Sequence, residues 1–257
     1  MIDRLYNQVL CKLEQTVGIF EQRVPPPQRV PFKGSFVFRY VEKSLHQALV
    51  QKLARLVSGL HAARLLMEHA FVQEQGALQR MLDDIDEDIQ FLAFAEIFDR
   101  FTPLHQEYLD AFYEEEFDAE MALESTQKRL MIPRKRIRAY LASTDGAPLD
   151  PSRAIEVFRT VHKTYSGYVH AASPHIMDMY GGSPPHFHTS GMAGTTLQQG
   201  HRKDIWNYFY RGILSFVFSA AAFGDKELFD QLNEFSHEFA RQSGEDYLLP
   251  QRNGAQD

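Results

Sequence analysis

Cysteine is almost absent from these 257 residues, Cys11 standing alone. No internal disulfide can form, so the fold must rest on packing. Long apolar runs are absent too. Within DIWNYFYRGILSFVFSAAAFGD, where Arg211 interrupts the run, the long charge-free part is Gly212 to Phe223, a stretch too short to span a bilayer and suited to a buried core helix. The N-terminus lacks the basic, apolar and small-residue order of a secretory signal, so a reducing cytoplasm is the expected compartment and no membrane the expected partner. There is no HExxH and no cysteine pair, the sequence signatures of the common zinc sites. What is present is enough for a core: 44% apolar and 12% aromatic residues, which predict a folded globular protein.

Basic residues are missing from one long stretch. Residues 83 to 124 hold fifteen acids against Arg100 alone, a local charge of −14 within a total of −7, which leaves +7 elsewhere. KRLMIPRKRIR, 128 to 138, then carries six cations and no acid. Such separation predicts an acidic surface beside a small basic one, and only the second attracts phosphate. Within the acidic stretch, DDIDEDIQ places Asp84 and Asp88 on one helix face. Same-sign neighbours without a histidine read as a solvated face carrying no chemistry.

Apolar residues recur at helical spacing almost throughout, as in Leu45, Leu49, Leu53, Leu56 and Leu60, which predicts an all-α fold. The expected helices cover 2–22, 41–75, 77–100, 103–117, 119–130, 134–143, 151–172, 202–223 and 225–242, with a bend near Gly59 or Gly76. RVPPPQRVPFKG, 23 to 34, cannot be helical through its prolines and reads as an extended linker, with SFVFRY after it as a short strand. The domain reading is an N-terminal helix (1–22), a proline-rich linker (23–38) and a multi-helix bundle (39–250). SPPHFHTSGMAGTTLQQG, 183 to 200, is the longest irregular stretch in the body of the chain, and loops of that length in compact domains usually serve a function.

Candidate chemistry gathers around that loop. On the 151–172 helix, Glu156, Arg159, Lys163, Ser166 and His170 recur three or four residues apart and form a polar stripe opposite an aromatic face. His170 falls at the C-terminal end, where the helix dipole favours an imidazolium. Four acceptors that follow, His175, Asp178, His186 and His188, could supply metal ligands if the chain curls to bring three together. With Gly181-Gly182 permitting a reversal, the loop is expected to fold back so that His186 or His188 approaches His170 or His175.

TYSGYVHAAS resembles the Ser-x-aromatic-Val-His element of certain bacterial all-helical proteins, which also carry an early helix with Arg, three residues, then Glu, here Arg64-Leu65-Leu66-Met67-Glu68. Those proteins are in turn similar to HEPN domains, helical bundles that often act as metal-independent ribonucleases through an arginine followed by a histidine a turn or two later. Arg39/His46, Arg55/His61, Arg64/His69 and Arg100/His105 have that spacing here. The resemblance implies a nucleic-acid-associated protein in which Arg64 or Arg159 holds a scissile phosphate and His170 moves a proton, with Glu68 and Ser166 in the same site. A second resemblance is local. ALESTQKRLMIPRKRIRAYL, 122 to 141, looks like a helix-turn-helix turning at Leu130-Met131-Ile132-Pro133, which implies that Arg134, Lys135, Arg136 and Arg138 meet phosphates and base edges. The competing class is a non-catalytic scaffold that contacts a partner through its acidic or basic face. No motif names a cofactor, and self-association stays open.

Overall fold

The computed structural model describes residues 2–117, 119, 121–126, 129–144, 160, 163 and 165–244. Arg159 and most of the expected 151–172 helix lie outside the described residues. Among the described residues eight α-helices follow in chain order: α1 (Ile2–Glu21), α2 (Leu45–Glu68), α3 (Val72–Ile97), α4 (Pro103–Tyr113), α5 (Arg134–Ala142), α6 (Ser173–Met177), α7 (Thr196–Ala222) and α8 (Lys226–Ser243), with 165–169 also helical. The described residues also form two small antiparallel hairpins, β1 (Gln28–Phe32) with β2 (Ser35–Arg39) and β3 (Tyr180–Gly181) with β4 (His186–Phe187). The all-α bundle predicted from periodicity is the observed fold.

The three long helices α2, α3 and α7 pack against one another at the centre, α8 lies on α7, α5 on α3 and α4 on α2. Helix α1 crosses this group and touches α2, α7 and α8. Its buried residues, Leu5, Tyr6, Val9, Leu10, Leu13 and Phe20, fall on one helical face. Tyr6 meets the Phe209 ring at 4.2 Å between centroids, and Phe20 meets Phe223 at 4.7 Å. The first helix is therefore part of the common core. Gly59 lets α2 and α3 approach closely, because a Cβ there would lie 2.6 Å from Leu82 Cδ2.

Several boundaries differ from the expectation, for local reasons. The proline-rich stretch is half of a hairpin: Gln28 to Phe32 pairs with Ser35 to Arg39. Lys33 and Gly34 both adopt positive φ, 46° and 73°, the conformation a two-residue hairpin turn demands. The long predicted helix breaks after Glu68, not at Gly59 or Gly76, where Ala70 takes φ 60°. Ser44 caps α2 in a reciprocal pair with Gln47, one of the strongest N-terminal signals. Helix α7 begins at Thr196, inside the stretch expected to be loop, because the Thr195 side chain accepts from Gln198 N at 3.2 Å.

Candidate interaction site

Four of the five acids of DDIDEDIQ lie inside the bundle, and the fifth, Asp84, is half-buried. Asp83, Asp86, Glu87 and Asp88 are all buried, which corrects the solvated face read from the sequence. Helix geometry accounts for it. At about 100° per residue, positions 83, 84, 86, 87 and 88 spread over an arc of roughly 200°, and α3 has neighbours on every part of that arc. Asp83 and Asp86 turn toward α7, where Arg211 Nη1 donates to Asp83 at 2.8 Å and Nη2 to Asp86 at 2.7 Å. The Ser215 hydroxyl adds a bond to Asp86 at 2.6 Å. Glu87 turns toward α5 and accepts from Arg134 Nη2 at 2.6 Å and Arg138 Nε at 3.0 Å. Asp88 takes Lys52 from α2 at 2.7 Å and the Arg134 guanidinium. Burying unpaired carboxylates would be prohibitive, so the cations are structurally obligatory.

The four basic residues expected to meet nucleic acid divide accordingly. Arg134 and Arg138 are held by the α3 carboxylates, Arg136 is bonded to Glu107 of α4 at 2.5 Å, and Lys135 is exposed. Of the pair of helices that a helix-turn-helix needs, the described residues show α5 and, in place of the first, a single 3₁₀ turn at Ala122–Glu124.

This charge network opens to the surface through a cavity of about 200 Å³ lined by Lys52, Asp88, Tyr108, Arg134, Leu130 and Met131, among others. The Tyr108 hydroxyl is pushed well above the ordinary tyrosine range by burial, reinforced by the adjacent Asp88. A second cavity, about 470 Å³, adjoins it and shares Phe112 and Arg129. Its walls include Phe38 from the β1–β2 hairpin and Glu114, Glu115 and Glu116 after α4. Arg39 bridges the hairpin to Glu115 at 2.5 Å, and Arg129 reaches Glu116 at 2.7 Å. Along the rim, the segment 117–131 leaves five large apolar side chains in solvent: Phe117, Met121, Leu123, Leu130 and Met131. Leu123 is 92% exposed and Met131 83%. Nothing in the periodicity distinguished them, since the sequence reading placed Phe117, Met121 and Leu123 in helices and Leu130 and Met131 at the turn that follows.

The remaining sequence candidates are scattered. Arg64 donates to Glu68 Oε1 at 2.9 Å, as an i, i+4 pair, and to Asn7 of α1, so its guanidinium is engaged on the α1 side. Ser166 is half-buried and His170 is exposed at the end of the 165–169 turn. His175 packs edge-on against Tyr168 at 4.6 Å. His186 and His188 lie beside each other, 4.6 Å apart, on the β3–β4 hairpin. Gly182, at φ 90°, makes the reversal that was expected, but it closes a local hairpin instead of bringing the pair to His170 or His175. The loop's farther contact is with the α2–α3 junction, where Met192 N donates to Ala70 O at 2.8 Å. Asp178 is exposed, and no three His, Cys, Asp or Glu side chains converge as metal ligands among the described residues.

Two histidines, His105, noted in the sequence only for its spacing from Arg100, and His201, are buried in surroundings that favour the neutral ring. His105 accepts from Thr102 N at 3.0 Å and reaches Phe91 O at 3.1 Å. Burial pulls its pKa down, and does the same to His201. In the unfolded chain both return to about 6.5, so between the two values the unfolded state binds more protons. Stability is thus complete above pH of about 6.5 and is lost as pH falls toward the folded values. Thermal melts from pH 8 to 5.5 are expected to show Tm declining below that point, and a flat Tm would contradict the assignment.

No protein family, curated protein or solved structure matches this chain. No helix among the described residues is long and apolar enough to cross a membrane.

Proposed function

We propose that the chain is an interaction protein whose 114–131 face docks an apolar, basic segment of a partner protein. The carrying observation is the exposure of five large apolar side chains within 117–131. Monomeric proteins rarely leave such groups together in water unless they meet a partner. The chemistry of the partner follows from the rim: Glu114 and Glu124 run along the same segment, beside Glu115 and Glu116 in their pairs with Arg39 and Arg129, and complementary charge selects a cationic one. The hairpin carries Phe36 and Phe38 to the far side of the groove, also exposed. The α5 arginines cannot serve a phosphate partner without leaving their carboxylates.

A second reading, a metal-independent ribonuclease, is supported by the exposed His170 imidazole one turn from Ser166. It requires an arginine at that imidazole, and Arg64 is turned toward Glu68 and Asn7.

One experiment separates them. Two designed peptides of equal apolar content, alternating Leu–Lys and Leu–Glu, are titrated against the full chain by fluorescence anisotropy. The Leu–Lys peptide is expected to bind, and Leu123→Asp with Met131→Asp to weaken it about tenfold or more, as for the central residues of an interface. Because both side chains are exposed, Tm should move little. Equal binding by the double variant rejects the docking face. A dimer by sedimentation that the same substitutions dissociate assigns the face to a second copy. RNA cleavage by the unmodified protein, abolished in His170→Ala, puts the ribonuclease reading in its place.

A further inference from the structure

A polar seam runs between α3 and α7, away from the docking face. On α3, Gln75, Gln79 and Asp83 follow one another at i, i+4 and i+8 and share a face. Gln75 Nε2 donates to His201 O at 3.1 Å at one end, and Asp83 accepts from Arg211 at 2.8 Å at the other. Gln79 therefore lies opposite the stretch of α7 that carries Asp204 and Tyr208. It is completely buried, and neither its Oε1 nor its Nε2 has a hydrogen-bond partner. His201 Nδ1, also buried, has none. An unpartnered buried amide is destabilising, and a core built for stability alone would hold an apolar residue there.

Aromatic rings close the seam. Tyr165 sits 6.0 Å from Tyr168, 6.2 Å from Tyr208 and 6.1 Å from His201 between ring centroids, and Tyr168 is 5.6 Å from His201. The Tyr165 hydroxyl donates to Asp204 at 2.8 Å. Asp204 is half-buried, whereas Asp83 and Asp86 are buried. Asp83 and Asp86 share the Arg211 guanidinium, and Arg80, bonded to Asp84 at 2.7 Å, also acts on Asp83, whereas Asp204 is held by the Tyr165 hydroxyl. Burial, helped by Asp86, raises the pKa of Asp83 against the pull of Arg211 and Arg80, as expected where desolvation outweighs the nearby cations.

We propose that this seam is a binding site for an organic cation, a protonated amine received by Asp204 and Asp83, with the Gln79 amide oxygen as a further acceptor and the Tyr165, Tyr168 and Tyr208 rings as its walls. Carboxylates supply the charge, and tyrosine faces attract an ammonium through their quadrupoles. The inference is independent of the docking face.

The full chain is titrated with putrescine, spermidine and tetramethylammonium chloride by calorimetry, and melted in each, with sodium chloride at matched ionic strength as control. At least one amine is expected to raise Tm beyond the sodium chloride control. Asp83→Asn should bind it about tenfold more weakly, and Tyr165→Phe, which keeps the ring but releases Asp204, should also bind less tightly. Gln79→Leu is expected to melt higher than the unmodified chain when free and to bind less. Shifts no larger than those of sodium chloride, or undiminished affinity in folded Asp83→Asn and Gln79→Leu, overturn the proposal.

Discussion

Glu87→Ala is expected to remove about 3–5 kcal/mol of stability, the range for breaking a buried ion pair from one side. The loss comes from what remains. Glu87 accepts from both Arg134 and Arg138, and Arg138, itself buried, has Glu87 as its one carboxylate partner among the described residues. Without that carboxylate its guanidinium stays desolvated and uncompensated. Urea unfolding should show a lower midpoint at unchanged slope. Replacing the pair together, Glu87→Met with Arg138→Met, should recover at least half of the loss, since Arg134 keeps Asp84 and Asp88. A single-variant loss below about 1 kcal/mol would mean that water reaches Arg138 freely, contrary to its burial.

The second large effect is expected at Phe91, whose ring is fully buried. It stacks on His105 at 4.0 Å with the planes 5° apart, and meets Tyr140 at 5.1 Å and Tyr108 at 5.5 Å. One ring thereby joins α3 to α4 and α5, the helices that frame the smaller cavity. Phe91→Ala should cost about 3–5 kcal/mol through lost burial and the void left behind. Phe91→Leu, which refills much of that volume, should cost markedly less. Chemical denaturation measures both, and equal losses would show that the aromatic stack itself, and not the filled volume, holds α4 and α5 in place.

How far the sequence reached differs from element to element. The leucine row from Leu45 to Leu60 is buried on α2, apart from the helix turns between, because a 3.6-residue repeat of apolar side chains can satisfy itself only as one face of a packed helix. The short α5 was legible from Pro133 onward, since proline is admitted at a helix start and excluded from its interior. Failure came where the decisive information lay in another segment. DDIDEDIQ has no feature that separates a wet acidic face from a buried one. The difference is made by Lys52, Arg134, Arg138 and Arg211, distant in sequence and brought in by α2, α5 and α7. The cations of 128–138 were visible as a group, yet their carboxylate partners at 84, 87, 88 and 107 were read as a separate surface.

By itself, the sequence determined the helical class and the apolar faces of the long helices, because these depend on residues within one or two turns of each other and on the backbone geometry they permit. Tertiary structure alone decided which charges are buried, which apolar residues of 117–131 remain in water, and that the Gln79 amide is buried without a hydrogen-bond partner. Burial is a property of neighbours, and desolvation, ion pairing and exposure are all set by segments that meet only when the chain has folded.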